Sequence, residues 1–216
     1  MKYGESTFDL IYLVFAIVLG VCILRARRDA VGKLMGAAVL ILGCGDAFHL
    51  IPRVLNYFVD RDFTAYLGFG KLVTSITMTV FYLLLYRLWL QVYGEEENRK
   101  LSLVVYALTA IRILLCLLPQ NRWFQNEGSV LWGVIRNIPF IALGCIDVML
   151  FCRKRSAVRR FRCVWLLITL SFLFYIPVAV AASLVPLLGM LMLPKTVCYM
   201  FLVWTFRKYA SGETQT

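Results

Sequence analysis

The hydrophobic residues of this chain lie in long runs separated by short polar segments. A helix that crosses the roughly 30 Å apolar core of a bilayer needs about 20 apolar residues, and seven runs meet this length. They cover approximately residues 8–24, 34–56, 66–88, 101–118, 130–152, 163–184 and 187–206. The pattern predicts an all-α membrane protein with seven transmembrane helices in a single domain, 1–216.

Composition supports this interpretation and excludes a soluble domain. Hydrophobic residues make up 61% of the 216 residues and charged residues only 16%, more apolar surface than a soluble protein of this size can cover. The first run is predicted to be a permanent helix rather than a cleaved signal peptide. Its N-terminal flank contains Glu5 and Asp9, and a basic cluster follows it.

Lys and Arg residues are concentrated in alternate connections, as in the cytoplasmic loops of membrane proteins. All seven runs then agree on one orientation, with the N-terminus outside and the C-terminus in the cytoplasm. This distribution accounts for the net charge of +11, so no nucleic-acid partner is predicted. The predicted location is a cell membrane, the bacterial cytoplasmic membrane. The predicted cytoplasmic side carries Arg25, Arg27, Arg28, Lys33, Arg87, Arg99, Lys100, Arg153, Lys154, Arg155, Arg159, Arg160, Arg162, Arg207 and Lys208; the outer side carries Lys2, Arg53, Arg61 and Arg122.

A weak internal repeat relates the two halves of the chain. Pro52 precedes Lys71 by 19 residues, and Pro177 precedes Lys195 by 18 residues. This spacing predicts a 3+1+3 plan in which parallel repeat halves, 8–93 and 130–209, are joined by a linker helix, 101–118. Chance similarity among apolar helices is the alternative. Both prolines are expected to break or kink their helices.

Several ionisable residues lie inside the predicted helices, where each costs about 2.5–3.5 kcal/mol on insertion scales and so indicates a site. The predicted topology brings most of them to one depth in the outer half of the membrane. Asp147 lies near the cytoplasmic end of its helix and is expected to pair with a basic group there. The residues at the common depth are Asp46, His49, Lys71, Arg112, Arg136 and Lys195.

Helical spacing shows which neighbouring residues lie on the same helix faces as these ionisable residues. The candidate binding residues are Lys71, Thr74 and Ser75 on helix 3, Arg112 on helix 4, Arg136 and Asn137 on helix 5, and Lys195 and Tyr199 on helix 7.

Two further groups of residues carry packing expectations. Gly43 and Gly45, just before Asp46, would let another helix or a ligand approach closely. Three aromatic residues near the end of helix 3, Tyr82, Tyr86 and Trp89, are expected in the cytoplasmic aromatic belt.

The charge balance at this depth points to an anionic ligand. Four cations face a single carboxylate, Asp46, and surplus Lys and Arg suit a phosphate or a carboxylate. The predicted partner is a membrane lipid or lysolipid, or a small anionic ligand. The seven cysteines lack zinc spacing, and no metal or cofactor is predicted. Three alternatives remain open: Lys71 and Arg112 extend to the interface, Asp46 forms a structural ion pair, or His49 is a packing residue.

The segment 42–53, Leu-Gly-Cys-Gly-Asp-Ala-Phe-His-Leu-Ile-Pro-Arg, resembles the bacterial lysoplasmalogenase (YhhN-like) family, and looser similarity continues to Tyr82. The resemblance implies a multi-helix membrane enzyme that hydrolyses the vinyl-ether bond of lysoplasmalogens, and it matches Asp46 to an intramembrane aspartate of that family. In such an enzyme Asp46 would act as general acid and His49 would position or deprotonate water. Lys71, Arg136 and Lys195 would then hold the phosphate.

Two other functions fit the same residues. A transporter or binding protein for a small anionic amphiphile agrees with tandem helix triplets around a cationic site. A retinal protein is suggested by Lys195 in the seventh helix, but helix 3 offers no anionic counter-ion and carries Lys71 instead.

Overall fold

The computed structural model describes residues 2–125, 129–181 and 185–212. Over these residues the protein is helical without strands, and seven helices are long and apolar enough to span a membrane. The chain is therefore a multi-pass membrane protein, as predicted. The helices are α1 (Lys2–Ala26), α2 (Ala30–Phe58), α3 (Thr64–Tyr93), α4 (Arg99–Leu117), α5 (Val130–Arg153), α6 (Val164–Ala181) and α7 (Met192–Ala210); short 3-10 turns cover Pro119–Asn121, Trp123–Gln125, Arg159–Phe161 and Pro186–Leu191.

The helix boundaries differ most from the hydrophobic runs at three points: α1 begins six residues before its run, α3 ends five residues beyond its run, and α7 begins five residues after its run starts. The run 163–184 ends in residues 182–184, which lie outside the described residues, and α7 begins only after a 3-10 turn. Neither Pro52 nor Pro177 ends its helix, because α2 continues to Phe58 and α6 to Ala181. A break at these prolines was therefore wrong, and the alternative of a kink stays a prediction.

Contacts between helix ends define the two ends of the bundle. At the end where the chain begins, Glu5 of α1 forms an ion pair with Arg53 of α2. At the opposite end the Arg27 guanidinium lies 5.0 Å from the ring centroid of Tyr209, just after α1 and late in α7. We call these the N-terminal end and the C-terminal end. Consecutive helices pack against each other, and α1 also contacts α7.

The half of the bundle near the C-terminal end has a buried aromatic core. Phe161 stacks against both Phe151 and Phe206, with ring centroids 6.2 and 5.8 Å apart. Tyr82, Tyr86 and Trp89 belong to the same buried core, and the Trp89 indole donates a hydrogen bond to the Leu150 carbonyl at 3.0 Å. The placement of these three residues in an aromatic belt was wrong. They face inward because their hydroxyl and indole groups find partners on neighbouring helices.

Glycines allow α2 and α3 to pack very closely near the N-terminal end. A Cβ added at Gly70 would lie 2.2 Å from the Phe48 carbonyl oxygen, and one at Gly45 would lie 2.0 Å from Thr77 Oγ1. Gly43 faces Ala16 of α1, so the expectation of close approach at Gly43 and Gly45 is confirmed. This packing brings His49 of α2 beside Lys71 of α3.

Candidate functional site

The half of the bundle near the N-terminal end contains a cavity of about 450 Å³. This volume lies within the roughly 300–1,000 Å³ typical of small-molecule sites. The cavity brings together eight of the ten predicted site residues, from α2, α3, α4, α5 and α7: His49, Lys71, Thr74, Ser75, Arg112, Arg136, Asn137 and Lys195.

Arg112 is the most deeply buried cation of the cavity, with 2% of its surface exposed. Its guanidinium donates a hydrogen bond to the Arg136 carbonyl oxygen and lies 5.2 Å from the ring centroid of Phe140. Its Nε has no hydrogen-bond partner within the described parts of the chain. Arg112 is therefore buried inside the bundle, and the alternative that it extends to the interface was wrong; for Lys71, which is exposed, the alternative stays open.

Arg136 is held in place by the connection between α4 and α5. It donates a 2.8 Å hydrogen bond to the Asn121 side-chain oxygen, and its guanidinium lies 4.3 Å from the Trp123 ring centroid. Asn121 and Trp123 are themselves anchored, because their side chains donate to carbonyl groups at the end of α4, Leu115 at 2.7 Å and Cys116 at 2.7 Å respectively. The connection thus donates hydrogen bonds to carbonyl groups at the end of α4 and also orients the Arg136 guanidinium.

Tyr175 links the polar groups of α5, α6 and α7. Its hydroxyl donates to the Asn137 side-chain oxygen at 2.9 Å, and the Asn137 amide donates to the Gly133 carbonyl at 2.8 Å. The Lys195 ammonium lies 4.6 Å from the Tyr175 ring centroid. Tyr175 therefore positions both an amide and a cation at the cavity.

The remaining predicted lining residues differ in how accessible they are. Lys71 is exposed, whereas Thr74 and Ser75 are half-buried. Their hydroxyl groups donate to backbone carbonyls, Thr74 to Gly45 at 3.1 Å and Ser75 to Lys71 at 2.7 Å. Neither hydroxyl proton is then available to a ligand in this arrangement. Nδ1 of His49 is buried, with no hydrogen-bond partner among the described residues.

Asp46 and Tyr199 are the two predicted site residues that do not line the cavity. The Asp46 carboxylate accepts a 2.7 Å hydrogen bond from the Tyr12 hydroxyl on α1, and its charge interacts with that of Lys195. Tyr199 is buried and hydrogen-bonds the Tyr82 hydroxyl at 3.1 Å. Of the two residues assigned catalytic roles by resemblance, only His49 reaches the cavity.

Asp147 does not form the ion pair that was expected. It is fully buried in α5, and neither carboxylate oxygen has a hydrogen-bond partner among the residues the structure describes. A carboxyl group buried without a partner favours its neutral form.

The electrostatic character of the cavity follows from its lining. The described lining residues include four Lys or Arg side chains and no carboxylate. In a medium of low dielectric constant, a buried cation that has no carboxylate partner among the described residues, such as Arg112, gains strongly from a bound anion. Within the described ranges, no group of three or more His, Cys, Asp and Glu side chains is suited to hold a metal ion. The arrangement is therefore suited to hold an anion rather than a cation.

Three residues that shape the site were not predicted from the sequence: Asn121, Trp123 and Tyr175. Asn121 and Trp123 lie in a connection, where no helical periodicity marks them, and Tyr175 precedes Pro177 in an otherwise apolar run. A scan of protein-family models and searches of curated proteins and solved structures found no match to the chain. The fold and site define a class, a seven-helix membrane protein with a cationic cavity between its helices, and the resemblance to lysoplasmalogenases stays a prediction.

Proposed function

We propose that the protein binds, and carries across its membrane, a small amphiphile with an anionic group. One observation carries this proposal: Arg112, almost completely buried, shares a cavity with Lys71, Arg136 and Lys195, and no carboxylate is found among the described lining residues. Burying a cation is unfavourable unless a counter-charge offsets it. A bound anion supplies that counter-charge.

Apolar residues in the lining support an amphiphile rather than a simple inorganic ion. Val130 of α5 and Val178, Ala179 and Val180 of α6 line the cavity, together with Met192 of α7. Apolar lining with a few polar groups that fix orientation is typical of small-molecule sites. The anionic group would lie between Arg112 and Arg136, and the apolar part would contact these apolar residues.

Transport is favoured over hydrolysis by the position of Asp46. A general acid must lie within hydrogen-bonding reach of the atom it protonates, but Asp46 is bonded to Tyr12 and is absent from the described lining. Hydrolysis of a lysolipid is kept as a second candidate because His49 lines the cavity. The predicted parallel repeat and the predicted orientation, with the cavity in the outer half of the membrane, agree with a carrier.

Binding is tested with two probes that have equal alkyl chains and opposite charge. Protein purified in a neutral maltoside detergent is titrated calorimetrically with decanesulfonate and with decyltrimethylammonium. We expect saturable binding of the sulfonate alone. Arg112→Gln should weaken it by about 10- to 100-fold, the range for a hydrogen bond to a charged group. Arg61→Gln, in the exposed α2–α3 turn, is the charge-matched control and should change affinity by less than about twofold. Equal binding of both probes, or full affinity in Arg112→Gln, contradicts the proposal.

Transport and hydrolysis are separated by measuring both in one preparation. Liposomes containing the protein are assayed for decanesulfonate flux and, separately, for aldehyde release from lysoplasmalogen. We expect flux that Arg112→Gln abolishes, and no aldehyde release. Aldehyde release that disappears in His49→Gln, without flux, would instead establish the hydrolase.

A further inference from the structure

A second polar cluster lies between α1 and α2, beside the cavity. Glu5, Asp9 and Tyr12 share one face of α1, with the spacing of successive helical turns. Asp46 and Arg53 of α2 face them. We call Glu5, Asp9, Tyr12 and Asp46 the acidic stripe. It leads from the N-terminal end of the bundle to the level of the cavity.

Within the acidic stripe, Asp9 is a buried residue whose carboxylate is incompletely hydrogen-bonded. It is 4% exposed, and its Oδ2 has no hydrogen-bond partner in the described chain. The nearest cationic group is Arg53, whose Nη1 lies 4.0 Å from that oxygen and which already pairs with Glu5. Ser6, also 4% exposed, has an unpartnered hydroxyl within the same part of α1. A buried polar atom of this kind needs a partner, and a carboxylate oxygen can bind a proton.

Tyr12 couples Asp9 to Asp46. Its hydroxyl donates to Asp46 at 2.7 Å, and the charges of both carboxylates act on it. Asp9 and Asp46 also interact directly. Asp9 lies one helical turn before Tyr12 on the same face of α1, and ionising two neighbouring buried carboxyl groups at once is unfavourable.

We propose that Asp9, Tyr12 and Asp46 form a proton-binding site that is coupled to the anion cavity through Lys195. A proton from water at the N-terminal end would pass the Glu5–Arg53 pair and bind one carboxylate oxygen of Asp9 or Asp46; no other bond forms or breaks. The ligand is a proton rather than a metal ion because the described residues contain no metal-holding group of His, Cys, Asp and Glu. This inference rests on the proposed anion binding.

The direction of coupling follows from the position of Lys195, which both lines the cavity and interacts with Asp46. An anion bound in the cavity competes with Asp46 for the positive charge of Lys195. Asp46 then loses part of its counter-charge and takes up a proton. The titratable and charged groups around the pair are Glu5 and Tyr12 on α1, His49, Arg53 and Tyr57 on α2, Lys71 on α3, and Lys195 and Tyr199 on α7.

The coupling is tested by counting protons during anion binding. Decanesulfonate does not titrate, so any proton exchanged belongs to the protein. Calorimetric titrations in buffers with different ionisation enthalpies give the number of protons taken up. We expect uptake approaching one proton per anion in the wild type and affinity that falls as the pH rises. Asp9→Asn should bind the anion with unchanged affinity at low pH but take up far fewer protons per anion than the wild type. Asp46→Asn should remove the pH dependence of the anion affinity. Asp60→Asn, exposed at the same end, is the control.

A second measurement tests the proton site without any anion. Infrared difference spectra between low and high pH should show a protonated carboxyl band that Asp9→Asn and Asp46→Asn each remove or shift, and that Asp60→Asn leaves intact. Anion binding without proton uptake, or a band unaffected by either variant, overturns the inference and leaves the proposed function standing. A protein that shows this band but binds no decanesulfonate overturns the coupling together with the proposed function, since no anion is then available to be coupled.

Discussion

The two halves of the bundle are built from the same helices but are filled in opposite ways. Near the C-terminal end, aromatic rings such as Phe151, Phe161 and Phe206 stack in a buried core. Near the N-terminal end, a cavity of about 450 Å³ remains between the helices. Apolar rings gain free energy from every contact, whereas like charges repel and retain hydration. The cations of this cavity, whose described lining includes no carboxylate, therefore keep open a space that apolar side chains would fill.

The comparison predicts that the two halves contribute unequally to stability, and Phe151→Ala should have the largest effect. Phe151 is fully buried, so truncation leaves a cavity and should lower the free energy of unfolding by about 3–5 kcal/mol. Denaturant unfolding followed by tryptophan fluorescence measures this loss, and decanesulfonate affinity of the folded fraction should not change. Phe201→Ala, 57% exposed, is the control. Similar losses in both variants would mean that the aromatic core is not what stabilises the bundle.

Removing a cation from the cavity should instead raise the free energy of unfolding. Arg112→Met removes a buried charge that lacks a carboxylate partner in the described structure, so the ligand-free protein should become more stable by about 1–4 kcal/mol. Binding of decanesulfonate should be lost at the same time. The same unfolding assay, with Arg61→Met as control, checks this. A large destabilisation would show that Arg112 is part of the framework rather than of a binding site.

Gly70→Ala should disturb the cavity through the backbone. The added methyl group would meet the Phe48 carbonyl oxygen and push α2 from α3, at a cost of about 1–3 kcal/mol. His49 and Lys71 would separate, so decanesulfonate affinity should fall as well. Gly4→Ala, which meets nothing within 4 Å, serves as the control. Unchanged unfolding and binding in Gly70→Ala would show that the two helices tolerate a wider spacing.

Tyr175→Phe should give the smallest effect. It keeps the ring beneath Lys195 but removes the hydrogen bond to Asn137, which is worth about 0.5–1.5 kcal/mol. Decanesulfonate affinity should fall by roughly 2- to 10-fold, measured by calorimetry beside the exposed control Tyr66→Phe. An unchanged affinity would indicate that the ring alone positions the site.

The sequence predicts the helices well because each must span an apolar layer, which requires a long run of apolar residues. It also identifies the cations of the cavity, since an ionisable residue in such a run stands out. It does not reveal their partners. Trp123 and Asn121 lie in a connection. Tyr82 and Tyr86 were assigned to an aromatic belt because they lie near the end of helix 3, yet both are buried. Asp9 was placed in a flank because it lies near the chain start, yet α1 already begins at Lys2 and buries it.

The end of α4 and the orientation of Arg136 depend on the same few hydrogen bonds. Asn121 and Trp123 occupy the Leu115 and Cys116 carbonyls and also contact the Arg136 guanidinium. If the last turn of α4 frays, the guanidinium loses its support in the same event. Local opening of this turn is therefore thermodynamically linked to release of whatever the guanidinium holds. Amide hydrogen exchange in the final turn of α4 would then slow when the cavity is filled.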